Sequence, residues 1–434
     1  MPTRKSVAFL WLSLLSSLCT IATPCTSSAQ QTTPPLVAQE THPVAIGAID
    51  TIHSQILNEQ RTIWIHVPES ARNAQAKKKY PVVYVLDGDK NFTSVVGMID
   101  LLSSVNGNNF WPEMIVVGIL NTDRKRDLTP TRVTSGLWID SGFALSSGGG
   151  EAFMGFIEKE LIPLIDSSYP TIPYRMLIGH SLGGLMAINS LVHHKNLFNS
   201  YVAIEPSMWW DQQRLLRETG LVIQSDSLAG KALFLAMAHS QPPGMDTVTV
   251  QRDTTDGTLQ IRSIMQLRRQ VMGNSRNGLQ ADFKYYDGET HASVPLIATY
   301  DALHFIFKDY PLTFQDSYFT DSTFKLASFL KAHYENVSLK YCITAEDGRP
   351  QPPPEDLVNN LGFFVLSKRQ FQKAEDMFTM NIKNYPSSFV AYGYLGDLFA
   401  AKGDKKRAMA SYKKSLSLKE TEVVRKKLDK LEDK

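Results

Sequence analysis

The sequence predicts an α/β fold, a doubly wound and mostly parallel sheet followed by a small all-α region. Three observations lead there. Continuous apolar runs alternate with helical segments up to about residue 310, a Gly-x-Ser-x-Gly turn joins one such run to a helix, and the last third repeats itself at a spacing of 34 residues. Strands that alternate with helices pair in parallel and bury both sheet faces, which is why the runs are apolar throughout rather than alternating.

Residues 1–29 read as a secretory signal peptide: Arg4 and Lys5, an apolar run from Val7 to Ile21, then small residues at Ser27 and Ala29. The run is too short and too interrupted by serine for a membrane span. The expectation is a periplasmic or secreted protein without a membrane span after cleavage, with Cys342 as its one remaining cysteine and hence no internal disulfide. Residues 30–44, rich in Gln, Thr and Pro, read as a flexible leader. With 45 basic against 43 acidic side chains, nothing points to nucleic acid or an anionic membrane surface as partner.

Ile52 to Val67 holds two apolar runs around a polar centre, the pattern of an antiparallel strand pair. Pro81–Leu86, Met114–Leu120, Tyr174–Ile178, Tyr201–Ile204 and Ala232–Ala238 read as buried parallel strands, and Ala281–Tyr286 as a last one. Glu151–Ile165 and Leu182–His193 read as helices between them. Ligands of such sheets lie at the carboxyl ends of the strands, where Asp87, Asn121, Ser181 and Glu205 fall. The loop from Arg124 to Gly150, closed by three glycines, is a connector or a mobile pocket wall.

Gly179-His180-Ser181-Leu182-Gly183 has the context of a nucleophile elbow, with Ser181 on the sharp turn and Gly179 and Gly183 leaving room for the strand and helix backbones. A serine nucleophile needs a base. His291, in the polar loop after the last strand, matches the chain order of nucleophile first and histidine last, with His239 as the weaker rival. His180 is expected to pack or to hydrogen-bond behind the site. The carboxylate partner is expected after Ala232–Ala238, where Asp246 is the next acidic residue, and Asp253, Asp256, Glu205 and Glu289 compete. The oxyanion hole is assigned to the backbone N–H groups of Leu182 and Asp89. No metal or other cofactor is called for.

These motifs together, Leu86-Asp87-Gly88, Asn121-Thr122-Asp123-Arg124, Gly179 to Gly184, Pro206-Ser207-Met208-Trp209-Trp210 and Thr290-His291, resemble the putative esterase family, which includes enterochelin-type siderophore esterases, esterase D and mycolyltransferases. The resemblance spans about residues 45–310. It implies an α/β-hydrolase fold, metal-free ester hydrolysis, an oxyanion donor at Asp89, and a pocket near Trp209 and Trp210, with Asp87 and Asn121 as further substrate-binding candidates. The glutamate that siderophore esterases carry directly after the Ala232–Ala238 strand is missing. The leading expectation is a serine esterase taking a small-molecule ester; an acyltransferase of the same fold and an inert, repeat-mediated interaction protein are the alternatives.

In the last third, Leu361-Gly362 recurs as Leu395-Gly396, Ala374 as Ala408, Phe378 as Tyr412 and Ile382 as Leu416. The spacing resembles tetratricopeptide repeats and makes a protein partner possible. The expected organisation is a signal peptide (1–29), a leader (30–44), an esterase domain (45–315), a connecting helix with a proline-rich linker (316–354) and helical repeats (355–434).

Overall fold

The computed structural model describes residues 44–72, 78–136, 138–225, 227–273 and 276–433. The signal-peptide reading and all but the last residue of the leader lie outside them.

Eight strands form one sheet: β1 (Ala48–Ser54), β2 (Glu59–His66), β3 (Tyr80–Leu86), β4 (Ile115–Ile119), β5 (Thr171–His180), β6 (Ser200–Ile204), β7 (Ala232–Ala238) and β8 (Gln280–Tyr286). Their spatial order is β1-β2-β4-β3-β5-β6-β7-β8. β1/β2 and β2/β4 run antiparallel, and every other neighbouring pair is parallel. This is the α/β-hydrolase arrangement, with β5 in the middle and β3 and β6 beside it.

The apolar runs are continuous because each inner strand feeds two cores. In β3, Tyr80, Val82, Tyr84 and Leu86 point to one face while Val83 and Val85 point to the other, all buried. The first face is covered by Leu182–His193, Trp210–Ser225 and Leu259–Met272, and the second by Gly88–Ser103 and Val294–Ile306. Each fully buried Val, Leu or Ile contributes roughly 1.5–3 kcal/mol, so the central strands anchor the site built on their ends.

The chain between Arg124 and Gly150 is less loose than its composition suggests. It contains short helices at Arg124–Asp127 and Ser141–Ser146, capped by the Asp123 and Asp140 side chains. Gly148, at φ +95°, packs directly on the Arg132 backbone.

After the sheet, the Leu326–Tyr341 helix belongs to both parts of the molecule. Tyr341 is buried in the second sheet core against Tyr174 and Phe307, and its hydroxyl donates to the Ile306 carbonyl at 2.9 Å. Leu326 and Leu330 instead join a third core with the helices that follow, Glu355–Ser367, Phe371–Asn384, Phe389–Ala401, Lys405–Leu418 and Glu422–Glu432. In the first helix pair Gly362 lies against the Phe378 ring, and in the second Gly396 lies against Tyr412, leaving no space for a side chain at either glycine. Among the described residues no helix is long and apolar enough to cross a membrane.

Candidate active site

β5 ends at His180 and the helix begins at Leu182, so one residue makes the turn between them. That residue, Ser181, sits at φ 59°, ψ −114°, a conformation costing a non-glycine residue on the order of 1–3 kcal/mol. Surrounding bonds hold it there: its N–H donates to Ile204 O at 2.9 Å, and its carbonyl accepts from Leu185 N at 2.9 Å and Ser207 N at 3.1 Å. The glycines act differently from the expectation. A side chain at Gly179 would run into the Gly183 carbonyl, and one at Gly184 would press on Ile204 O and Pro206. At Gly183 a Cβ would meet only ordinary contacts with Leu86 and Asp87, so the tight positions are Gly179 and Gly184. The Ser181 hydroxyl lies 3.4 Å from that of Ser207.

His291 stands where the loop after β8 turns into the Val294–Ile306 helix. Its ring lies beside the elbow, with its centroid 4.5 Å from that of His180. Its Nδ1 is 3.0 Å from Oε2 of Glu205, a carboxylate with no exposed surface. Glu205 follows β6 directly and takes the left-handed φ of 45°, which turns its side chain across the strand ends. Two further donors hold it, Ala238 N at 2.6 Å and the Ser240 hydroxyl at 2.9 Å. A buried carboxylate needs such partners.

Asp246 is therefore corrected. It lies exposed in the loop after β7, where it accepts from Val248 N and Thr249 N at 3.0 and 2.7 Å and caps a short turn. Its Oδ1 accepts these local bonds, and among the described residues no histidine is its partner. Asp253 bonds Thr255 and Thr258, Glu289 bonds Ser293, and His239 pairs with the Tyr285 hydroxyl. Glu205 was legible to this extent: it is an acid abutting a buried five-residue strand next to the elbow strand.

His180 is held neutral. Burial, and secondarily the neighbouring His291, push its pKa down to about 4. Asp87 closes β3 in a left-handed conformation (φ 52°, ψ 48°) and is buried. Burial raises its pKa, but hydrogen bonds from Arg124 and Asn121 outweigh this and hold the carboxyl below its ordinary range. The expectation that Asp87 and Asn121 offer side chains to a substrate is thus not met for Asp87, whose oxygens are committed to those two neighbours. Lys90 N and Asn91 N turn back to the Asp87 carbonyl, leaving the N–H of Asp89 at the open first turn of its helix. Leu182 is the first residue of the elbow helix, so its N–H too belongs to an open first turn.

The tryptophans divide. Trp210 is 1% exposed and donates its indole N–H to Thr131, so it fills core rather than pocket. Trp209 is partly buried and meets the exposed Trp138 edge to face, with ring centroids 4.9 Å apart. A cleft of about 1140 Å³ opens at the opposite end of the strands, between Lys79, Pro81 and the Pro350–Pro354 segment; none of Ser181, His291 and Glu205 lines it. No cluster of three or more His, Cys, Asp or Glu side chains among the described residues could hold a metal ion.

A family model described as putative esterase matches residues 54–293, more than half of the chain. The chain belongs to the putative esterase family. The relatives it matches include proteins named as esterases. The ferri-bacillibactin esterase BesA of Bacillus subtilis is 25% identical over 264 residues, covering 57% of this chain and 86% of its own. The siderophore triacetylfusarinine C esterase of Aspergillus fumigatus is 25% identical over 253 residues, 53% of this chain and 82% of its own. Among solved structures, an IroE-like serine hydrolase from Shewanella oneidensis superposes with a TM-score of 0.60 at 28% identity, covering 77% of this chain and 98% of that one. An uncharacterised protein of Capnocytophaga ochracea reaches 0.66 at 17% identity over 89% of this chain and 100% of its own, a likeness of fold.

Proposed function

We propose that this member of the putative esterase family is a serine esterase that acts in the periplasm or outside the cell. The observation that carries the reading is the buried Glu205 carboxylate on Nδ1 of an imidazole lying beside the Ser181 elbow. That bond fixes the tautomer of His291 and leaves Nε2 to take the Ser181 proton. Ser181 Oγ attacks the ester carbonyl, and the N–H groups of Leu182 and Asp89 receive the oxyanion. The proton passes to the leaving alkoxide, and the alcohol departs. Water, deprotonated by the same imidazole, then releases the acid from the acyl-enzyme. The basic, apolar and small-residue order of the first 29 residues supports the location. The 34-residue spacing and the matched glycine–ring contacts support a tetratricopeptide-like packing of the tail helices.

The substrates named for the relatives, ferri-bacillibactin and triacetylfusarinine C, are the first natural esters to assay. The chain should hydrolyse p-nitrophenyl acetate and butyrate, and a fluorophosphonate should label Ser181. Ser181→Ala and His291→Ala should reduce turnover to background. Equal turnover by wild type and Ser181→Ala would remove the proposal.

A further inference from the structure

One side chain joins the two loops that carry the oxyanion donors. Arg124 follows β4 and donates Nε to Asp87 Oδ1 at 2.6 Å and Nη2 to Asp87 Oδ2 at 2.9 Å. The same Nη2 reaches the carbonyl of His180 at 3.3 Å. Asn121 Nδ2 adds a bond to Asp87 Oδ1 at 2.6 Å. Asp87 leads directly into Gly88 and Asp89, and His180 leads directly into Ser181 and Leu182. The guanidinium therefore spans the bases of both loops.

Exposed ion pairs contribute little, but this one differs, because the Asp87 side chain is only 4% exposed and both its oxygens are gripped by the Nε and Nη2 groups along one edge of a planar guanidinium. Asp87 is also held in the left-handed conformation that aims the start of the next helix. An ammonium group in place of the guanidinium could meet Asp87 as a single point donor; it lacks the fixed fork needed to hold the carboxylate at two oxygens and the carbonyl as well.

We infer that Arg124 is a positioning residue that sets the separation between the Asp89 and Leu182 N–H groups. The inference rests on the serine-esterase reading above. Donors act on an oxyanion only when preorganised at hydrogen-bond distance, and a misplacement of about 1 Å costs on the order of 100-fold in rate. Arg124 itself touches no reacting atom in this scheme; its loss lets the two loops drift apart.

The test uses the full chain and the neutral ester p-nitrophenyl butyrate, which offers no charge for Arg124 to bind. Arg124→Ala should lose about 100-fold in kcat with KM little changed, and Arg124→Lys, which keeps a cation against Asp87, should fall nearly as far. Should Arg124→Ala not fold, as judged by thermal melting, Arg124→Lys carries the same test. Added ethylguanidinium should restore part of the kcat of Arg124→Ala. It should fail on Arg124→Ala/Asp87→Asn, where the seat for the cation is gone. Wild-type kcat in a folded Arg124 variant, or a change confined to KM, would overturn the role of Arg124 and leave the nucleophile assignment standing. Wild-type turnover by Ser181→Ala would instead overturn the reading beneath it.

Discussion

A glutamate with no exposed surface must be held by donors, and Glu205 has three, in Ala238 N–H, the Ser240 hydroxyl and His291. Gln in its place keeps the shape and loses the charge that orients the imidazole. Glu205→Gln should therefore lower kcat by about 10⁴-fold with little change in melting temperature. Asp246→Asn should leave kcat untouched and cost at most about 1 kcal/mol as a weakened turn cap. Ester kinetics beside thermal melts separate the two. His180 supplies a pH prediction. In the unfolded chain a histidine titrates near its ordinary value of about 6.5, whereas burial here holds His180 down to about 4. Between those values the unfolded state binds a proton the native state refuses, so stability is fully present above pH 6.5, falls as the pH drops towards 4 and levels off below. The loss is about 3 kcal/mol. Urea unfolding at pH 7 and pH 4 should show that this difference shrinks by about that amount in His180→Asn; an unchanged difference would mean that His180 titrates normally in the fold.

At the scale of elements, the parallel strands could be read from the sequence because burial on both faces leaves an unbroken apolar run, as in Val82 to Leu86 or Ala232 to Ala238. The elbow was legible for a steric reason, since few other arrangements need glycines around a serine between strand and helix. Two things were not legible. The helices at Arg124–Asp127 and Ser141–Ser146 are too short to show a period, and they are held by side-chain caps and by the packing of Gly148 on Arg132. Chain order favours a carboxylate after β7 and leaves Glu205 only a competitor, whereas the backbone of Glu205 bends back from the end of β6. Nothing in the residue types announces a left-handed glutamate. The elbow also yields a paired test. Gly179→Ala drives a methyl into the Gly183 carbonyl, which cannot yield as a side chain would, so stability should fall by about 3 kcal/mol or more. Gly183→Ala meets only ordinary contacts inside a helix, where alanine is favoured, and should change stability by less than about 1 kcal/mol. Denaturant midpoints of the two variants check both.

For the whole molecule, the Leu326–Tyr341 helix decides how the sheet and the helical tail depend on each other. Tyr341→Ala empties a ring-sized space among Tyr174, Phe307 and Tyr310 and should destabilise the sheet by about 3–5 kcal/mol. Removing residues 355–434 keeps Tyr341 in place but uncovers Leu326 and Leu330. The shortened chain should aggregate or melt earlier, while turnover per fluorophosphonate-reactive site stays at the level of the full chain. A fall in turnover per reactive site would show that the tail reaches the chemistry. The position of Glu205 has a last consequence, for how such a protein diversifies. Because its carboxylate leaves the sheet at the end of β6, His291 takes its acidic partner from outside residues 242–258, although these follow β7 at the same end of the strands as Ser181. Exchanging the exposed residues of that segment, rather than the buried Val250 and Thr258, should leave the Glu205–His291 bond undisturbed, which makes them the natural positions for redirecting the protein to a different ester.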